Sequence, residues 1–481
     1  MINKNYNKKF NLLIIFILFF IYCSGCTMIP VYERPKPLIP SEWKIKTKQD
    51  TKSQEKHINQ ISWQNFFLQP ELKKLIQKGL DKNLNLKEAA LNIQIVKENY
   101  KIQKSYLYPA IEAKGQYNRQ KTASGSFGSN SGFIINQYTA NIATTAFEID
   151  LFGRLRSMNQ AALEEYFGSV EAKNTTKILL ISEIANAYLK LLSDREQLHL
   201  AVKTAKTQKE SYDIIAKRVE IGISNNLELR QAETFLRQAE VDQSTLEDII
   251  NQDRNNLDLL VGTSVSDSEL LGSFNNAEKF VSKINSGLPS DLLQNRPDIR
   301  QAEYTLRSAN ANIGVARASF FPVISLTTSG GFGSTELSSL FVGHNKIWAF
   351  TPQVSLPIFT AGRSWAALQV TKLQKDIAVV QYQQSIQNAF REVSDLLSIR
   401  KTINAELRAQ IKLATASKAY YSLANARYEK GIDNYLGVLD AIRSTYTAQQ
   451  QVINKRLVMI ANTINLYTAL GGGYDLSEMA E

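Results

Sequence analysis

Histidines, cysteines and long apolar runs are scarce in this sequence, and each scarcity removes a class of function. Its 481 residues hold three histidines, His57, His199 and His344, far apart and sharing no ligand-like spacing with carboxylates. Paired carboxylates such as Glu164 and Glu165 carry no supporting context. Catalysis and a metal centre therefore find no footing, and no enzyme is expected. One stretch is continuously apolar, Leu12 to Ile21, and its ten residues fall short of the roughly 20 that cross a bilayer as a helix. Proline is absent from Ala110 to Leu288 and from Ile358 to the C-terminus, and glycine is absent from Arg363 to Lys430. These are the main helix breakers, so long uninterrupted helices are permitted there, roughly 100 Å for Ser364 to Lys430 at about 1.5 Å per residue.

What is present begins at the N-terminus. Lys4, Lys8 and Lys9, with no acid among them, precede the apolar stretch, the layout of a secretory signal peptide over residues 1–25. It ends in Cys23-Ser24-Gly25-Cys26, which resembles a bacterial lipobox with Cys23 where leucine is usual. By that resemblance Cys26 is acylated and becomes the mature N-terminus, since several acyl chains on one cysteine anchor stably where one binds marginally. An ordinary signal peptide with an incidental cysteine is the plainer alternative. A cut before Cys26 leaves one cysteine, which rules out an intrachain disulfide. Thr27 rather than Asp follows it, and by resemblance to sorted lipoproteins this points to the outer membrane. The formal charge of +11 falls to +8 without the three lysines of the signal peptide. No basic run with interleaved aromatics occurs, so the excess reads as dispersed solvated faces, and nucleic acid is not an expected partner. The hydrophobic fraction of 44% and mean hydropathy of −0.23 are those of a folded chain.

An internal repeat organises the rest. Tyr108-Pro109 recurs as Phe321-Pro322, and Leu151-Phe152-Gly153-Arg154 as Ile358-Phe359 with Gly362-Arg363. Arg218, Glu220, Gly222 and Leu227 recur as Arg427, Glu429, Gly431 and Leu436, each 209 residues later. Leu260-Val261-Gly262 returns as Leu470-Gly471-Gly472, a helix stop and not a phosphate cradle. Each repeat reads as hairpin, long helix, turn, long helix. Ile111, Ala113, Gly115 and Tyr117 alternate with Glu112, Lys114, Gln116 and Asn118. Trp348, Phe350, Pro352, Val354, Leu356 and Ile358 share one face of a second strand, and Gly- and Ser-rich loops, Ala123 to Gly132 and Ser329 to Gly343, join each pair.

Strands of about ten residues, apolar outside and polar inside, are the signature of a transmembrane β-barrel, with a soluble sandwich sheet as the alternative. Four strands cannot close a barrel in lipid, and an open edge there leaves backbone groups unsatisfied. If they lie in a membrane, protomers must share one barrel as a cyclic oligomer. Apolar residues of the long helices form narrow seams diluted by Ala, Gln and Ser, as between helices of a barrel wall. A soluble helical bundle would explain the helices but not the hairpins.

Longer motifs carry a family resemblance. Cys26-Thr27-Met28-Ile29-Pro30-Val31-Tyr32-Glu33-Arg34-Pro35, then Trp63, Phe66, Pro70, Glu71, Leu72 and Asn83, open the likeness. Arg296-Pro297-Asp298-Ile299-Arg300, Ala302-Glu303 and Ala309-Asn310-Ala311-Asn312-Ile313-Gly314-Val315-Ala316-Arg317 are its most specific stretch. Leu356-Pro357-Ile358-Phe359 with Gly362-Arg363, and Gly431 to Leu436, complete it. In these residues the chain resembles the TolC-like outer membrane factors, in the lipoprotein branch that serves resistance-nodulation-division efflux pumps. The resemblance implies a mixed α/β membrane protein in two internal repeats: a homotrimer with a 12-stranded transmembrane β-barrel, four strands per protomer, continuing into a long periplasmic α-helical barrel. It implies a signal peptide 1–25, a lipidated segment with the first periplasmic helices at 26–104, repeats at 105–288 and 289–474, and a tail at 475–481. Partners would be a periplasmic adaptor, an inner membrane transporter of that class and outer membrane lipid, with no cofactor beyond the lipid on Cys26. The function implied is the outer membrane channel of a tripartite efflux pump exporting small compounds. A conduit for secreted polypeptides and a pore-free helical lipoprotein scaffold are the competing readings.

The resemblance also assigns a gate. By it the turns around Gly222 and Gly431 form the closed periplasmic end, Leu436 occupies an apolar gate position and Asp440, one turn later, an acidic one. Three copies of each would set an apolar iris beside a carboxylate ring, whose mutual repulsion a proton or cation would relieve in favour of closure. Tyr428 matches a position that ties inner to outer helices by hydrogen bonds, and Asp433 lines the entrance. Read without the family, Leu436 is wall packing, Asp440 a solvated charge and Tyr428 a partly buried aromatic.

Overall fold

The computed structural model describes residues 27–43, 61–123 and 132–473, apart from 283, 285, 286 and 288. The signal peptide, Cys26, the C-terminal tail and most of the first strand-joining loop lie outside the described residues. A helical turn at Trp63–Phe66 leads into α1 (Pro70–Lys82) and α2 (Leu84–Ser105), then strands β1 (Glu112–Lys121) and β2 (Ile134–Ile149) and helices α3 (Arg154–Glu220) and α4 (Asn226–Val261). Beyond a stretch of short turns come α5 (Pro297–Ala318), β3 (Val323–Ser334), β4 (Lys346–Ser355), α6 (Arg363–Glu429) and α7 (Tyr435–Ala469). Proline opens both α1 and α5, the one helical position at which its missing N–H is harmless. The proline-free and glycine-poor stretches are the long helices: α3 and α6 have 67 residues each, about 100 Å of helix. Their partners α4 and α7 have 36 and 35. Helices α2 and α5, ahead of each hairpin, have 22 each. The same order of elements therefore starts earlier than the motif offsets reach.

Two compact units share these elements. The first comprises Asn92–Val170, Gln301–Tyr382 and the described residues up to Lys36. It holds one antiparallel sheet in the order β1-β2-β3-β4. The β1–β2 hairpin pairs Glu112 with Ala143 through to Lys121 with Ile134, and β3–β4 pairs Val323 with Ser355 through to Phe332 with Lys346. Residues 329–334, expected in a loop because they are rich in Gly and Ser, are the end of β3: pairing runs through the backbone, with Gly330 opposite Ile142 and Gly333 opposite Thr139. Trp348, Phe350 and Val354 are exposed on one face of β4, while Leu356 and Ile358 lie past its end. A bulge between Thr144 and Phe147, with Ala146 at φ 50°, shifts the register of β2 on β3. The passage from β2 into α3 is pinned by Arg154 on Glu148 (2.9 and 2.5 Å) and Arg156 on Asp150 (3.2 Å).

The second unit comprises Pro37–Leu91, Glu171–Arg300 and the described residues from Gln383 onward. Its core gathers Phe66, Phe67, Leu72, Leu75, Ile76, Tyr188 and Tyr467, all fully buried. Phe66 stacks on Tyr467 at 3.8 Å with the rings 4° apart, and the Tyr467 hydroxyl donates to the Ile61 carbonyl at 2.7 Å. Asn83 accepts from the Leu86 amide (3.0 Å), capping α2, and donates to the Leu260 carbonyl (2.9 Å), closing α4. Among the described residues no helix is long and apolar enough to cross a membrane.

Candidate functional site

The two helical hairpins of the second unit turn on the same geometry. Gly222 and Gly431 sit at φ 74° and 72°, left-handed values that glycine takes without strain. Behind each, the next amide reaches back to an arginine carbonyl: Ile223 to Arg218 at 2.8 Å and Ile432 to Arg427 at 3.0 Å. This is the bonding of a Schellman turn, which satisfies carbonyls at the helix end.

The side chains then diverge. Arg427 grips Asp433 through two nitrogens, at 2.5 and 3.0 Å, closing the second turn on itself. That guanidinium holds the Asp433 carboxyl below the usual carboxylate range. At the matching place in the first turn Ser224 replaces the aspartate and donates instead to Glu228 at 2.5 Å. The matching arginine, Arg218, lies over the ring of Tyr428 with its guanidinium carbon 4.8 Å from the centroid. So the first hairpin reaches the second through a cation on a ring face.

Tyr428 is buried in a cluster with Ile215, Ala232, Val438, Leu439 and Ile442, and its ring lies 5.1 Å from that of Tyr435. Its hydroxyl has no hydrogen-bond partner among the described residues, so contact with the neighbouring hairpin runs through the ring and not through the hydroxyl. Burial raises the pKa of that hydroxyl, and it stays neutral. Leu436, second residue of α7, is exposed, whereas Val438 on the opposite face and Leu439 one turn further along are buried. Asp440 is half exposed and pairs at 2.9 Å with Arg443 on its own helix. A ring built from Asp440 would therefore carry arginines beside its carboxylates. Exposed pairs of this kind contribute about 0–1 kcal/mol, so the carboxylate remains available.

Four side chains named from the sequence thus lie within one hairpin: Tyr428 in its core, Asp433 in its turn, Leu436 and Asp440 on α7. Arg218, Arg443 and Tyr435 complete the arrangement and were not singled out as site residues from the sequence, although Tyr435 lies within the Gly431 to Leu436 motif. The 209-residue offset pairs Arg218 with Arg427, which was the available signal. Cys26 lies outside the described residues. Among those described, no group of three or more His, Cys, Asp or Glu could hold a metal ion.

Comparison with known proteins gives these features a family. A family model described as outer membrane efflux protein matches residues 75–263 and 288–472. The toluene efflux pump outer membrane protein TtgC of Pseudomonas putida is 41% identical over 452 residues, which cover 94% of this chain and 93% of TtgC. A membrane protein of Pseudomonas aeruginosa of known crystal structure superposes with a TM-score of 0.87 at 35% identity, covering 93% of this chain and all of that one. The open state of the MtrE outer membrane channel of Neisseria gonorrhoeae does so with a TM-score of 0.84 at 36% identity, covering 93% and 98%. The chain belongs to the outer membrane efflux protein family, non-enzymatic channels of the outer membrane.

Proposed function

We propose that three copies of this chain form the outer membrane duct of a tripartite efflux pump. The observation that carries the reading is a four-stranded sheet whose two edges are open among the described residues: β1 and β4 are exposed along their whole length and pair there on one side only. In lipid such edges are tolerated only if neighbouring copies close them. Two copies would give eight strands, whose interior side chains fill, whereas three give twelve and leave a lumen. The helices agree: Ile95 and Ile102 on α2, and Val370, Leu373, Ile377 and Val380 on α6, are each more than half exposed at seam spacing, as faces awaiting a neighbour are.

In this reading Cys26 carries the lipid, Leu436 and Asp440 from three copies form the constriction, and a periplasmic adaptor linked to an inner membrane transporter opens it. The cargo is small apolar or amphipathic compounds, the class to which the toluene pumped by the TtgC system belongs. Deleting the gene is expected to sensitise cells to organic solvents, dyes and antibiotics. Unchanged susceptibility, with loss of a secreted polypeptide from the medium, would overturn the cargo assignment. For the gate, changing Leu436 and Asp440 together to Ala should enlarge single-channel currents in planar bilayers, and unchanged conductance would refute their role.

A further inference from the structure

One polar face of α5 is covered by the chain's own N-terminal segment. Glu303, Arg307, Asn310, Gly314 and Arg317 are spaced by 4, 3, 4 and 3 residues. At about 100° per residue they fall within roughly 80° of one another, a single stripe along the helix. The described N-terminal segment lies along that stripe in the opposite direction. Arg317 donates to the Met28 carbonyl at 3.4 Å, and Asn310 to the Pro30 carbonyl at 2.8 Å. Between them Gly314 makes room: a Cβ there would stand 2.7 Å from Ile29 Cγ1 and 2.9 Å from the Ile29 nitrogen. The guanidinium carbon of Arg307 lies 5.1 Å from the Tyr32 ring centroid.

The segment ends in a clasp. Arg34 donates to both oxygens of Glu303, at 3.0 and 2.7 Å, Tyr32 adds its hydroxyl at 3.3 Å, and Arg307 donates at 2.8 Å. The Glu303 side chain is only 6% exposed. Burial, and then the carboxylate beside it, push the Tyr32 hydroxyl up to about 12, so it remains a donor. The two paths match in length. Six steps of extended chain from Met28 to Arg34 cover about 20 Å at roughly 3.3 Å each, and fourteen helical steps from Arg317 to Glu303 about 21 Å. A strap held at alternate residues cannot slide, because a slip of one residue would take Arg34 off a buried carboxylate.

This fixes Thr27 beside the C-terminal end of α5, and β3 begins six residues past Arg317. Cys26 is one peptide link before Thr27. We infer that the strap is a rigid brace and not a flexible tether: Glu303 is a positioning residue that sets the height of the anchored N-terminus against the foot of the sheet, so the lipid acts on barrel assembly through this clasp. The inference rests on the acylation of Cys26 and on the shared barrel proposed above.

The test uses the full chain in its own outer membrane and reads the share recovered as a heat-modifiable oligomer. Arg34→Ala, and separately two glycines inserted between Thr27 and Met28, should each lower that share several-fold. The same insertion between Lys36 and Pro37, past the clasp, should leave it unchanged. Cys26→Ala should lower it to the same level, and adding Arg34→Ala to Cys26→Ala should lower it no further, because both act through one brace. Arg34→Lys, which keeps a cation but loses the fork, should recover part. Losses that multiply in the double variant, equal harm from both insertions, or a Cys26→Ala chain that assembles normally would each overturn the brace. The mass of the N-terminal peptide reports acylation independently: an unmodified peptide in the parent protein would sink the lipid reading, while a modified one beside multiplying losses would sink the brace alone.

Discussion

Arg296 shows how much one side chain of the family motif carries. It donates to both oxygens of Asp298 (3.0 and 2.7 Å), to Glu392 on α6 (2.8 Å) and to the carbonyl of Ala469 at the end of α7 (2.7 Å). Its side chain is 13% exposed while both carboxylate partners are more open, so replacement by Ala should destabilise the protein by about 2–3 kcal/mol and not by the full cost of a broken buried pair. Chemical denaturation in detergent measures this, and Lys at the same position should fall between because it lacks the planar fork. The Arg427 clasp on Asp433 makes a prediction about pH. A carboxylate whose pKa is depressed by folding lends stability above its unfolded value of about 3.9 and loses it as the pH falls through the depressed one. The clasp is therefore intact at neutral pH and released only in strong acid. Asp433→Asn should imitate that release at neutral pH, seen as faster trypsin cleavage after Lys430; an unaltered rate would show that the clasp does not hold the turn. Of these contacts the sequence announced Arg296 and Asp433, through motif likeness. It marked Arg218 only as the repeat counterpart of Arg427 and did not show its stacking on Tyr428, because a stacked arginine leaves no local pattern.

Helices were the most legible elements, and for a simple reason. An unbroken helix requires the absence of proline and interior glycine, and absence can be read directly, as in Arg363–Glu429. Strands were harder. The alternation in β4 was visible, but the glycine-rich end of β3 looked like a loop because its stability comes from backbone pairing on both sides, one partner being a strand more than 180 residues away. The strap on α5 was invisible for a related reason: Arg34 and Glu303 are separated by 269 residues. Glycines at helix ends differ in what they tolerate, which yields an ordering. Gly431 has a left-handed φ but open space around it, so Gly431→Ala should lose about 1–2 kcal/mol. Gly471 has φ 83°, and a Cβ there would come within 2.4 Å of the Asn295 carbonyl oxygen. Gly471→Ala should thus destabilise more than Gly431→Ala in thermal unfolding, and the reverse order would contradict the packing described.

At the level of the assembly proposed above, the apolar seam on α6 is exposed in one copy, and the proposed ring would cover it. Leu373→Asp and Ile377→Asp should leave helix content by circular dichroism unchanged while abolishing the heat-modifiable oligomer, since a charge facing solvent is harmless but one inside a helix seam is not. A variant that still assembles would show that this face is not an interface. The matched halves of the chain have a further consequence. A ring of three such chains contains six hairpin-and-helix modules, so a half-length ancestor could have built the same ring as a hexamer of identical pieces. Two modules joined on one polypeptide are free to differ. Ser224 and Asp433 stand where the two modules differ: one bend is stapled to itself and the other leans on its sister, a division of labour closed to six identical parts.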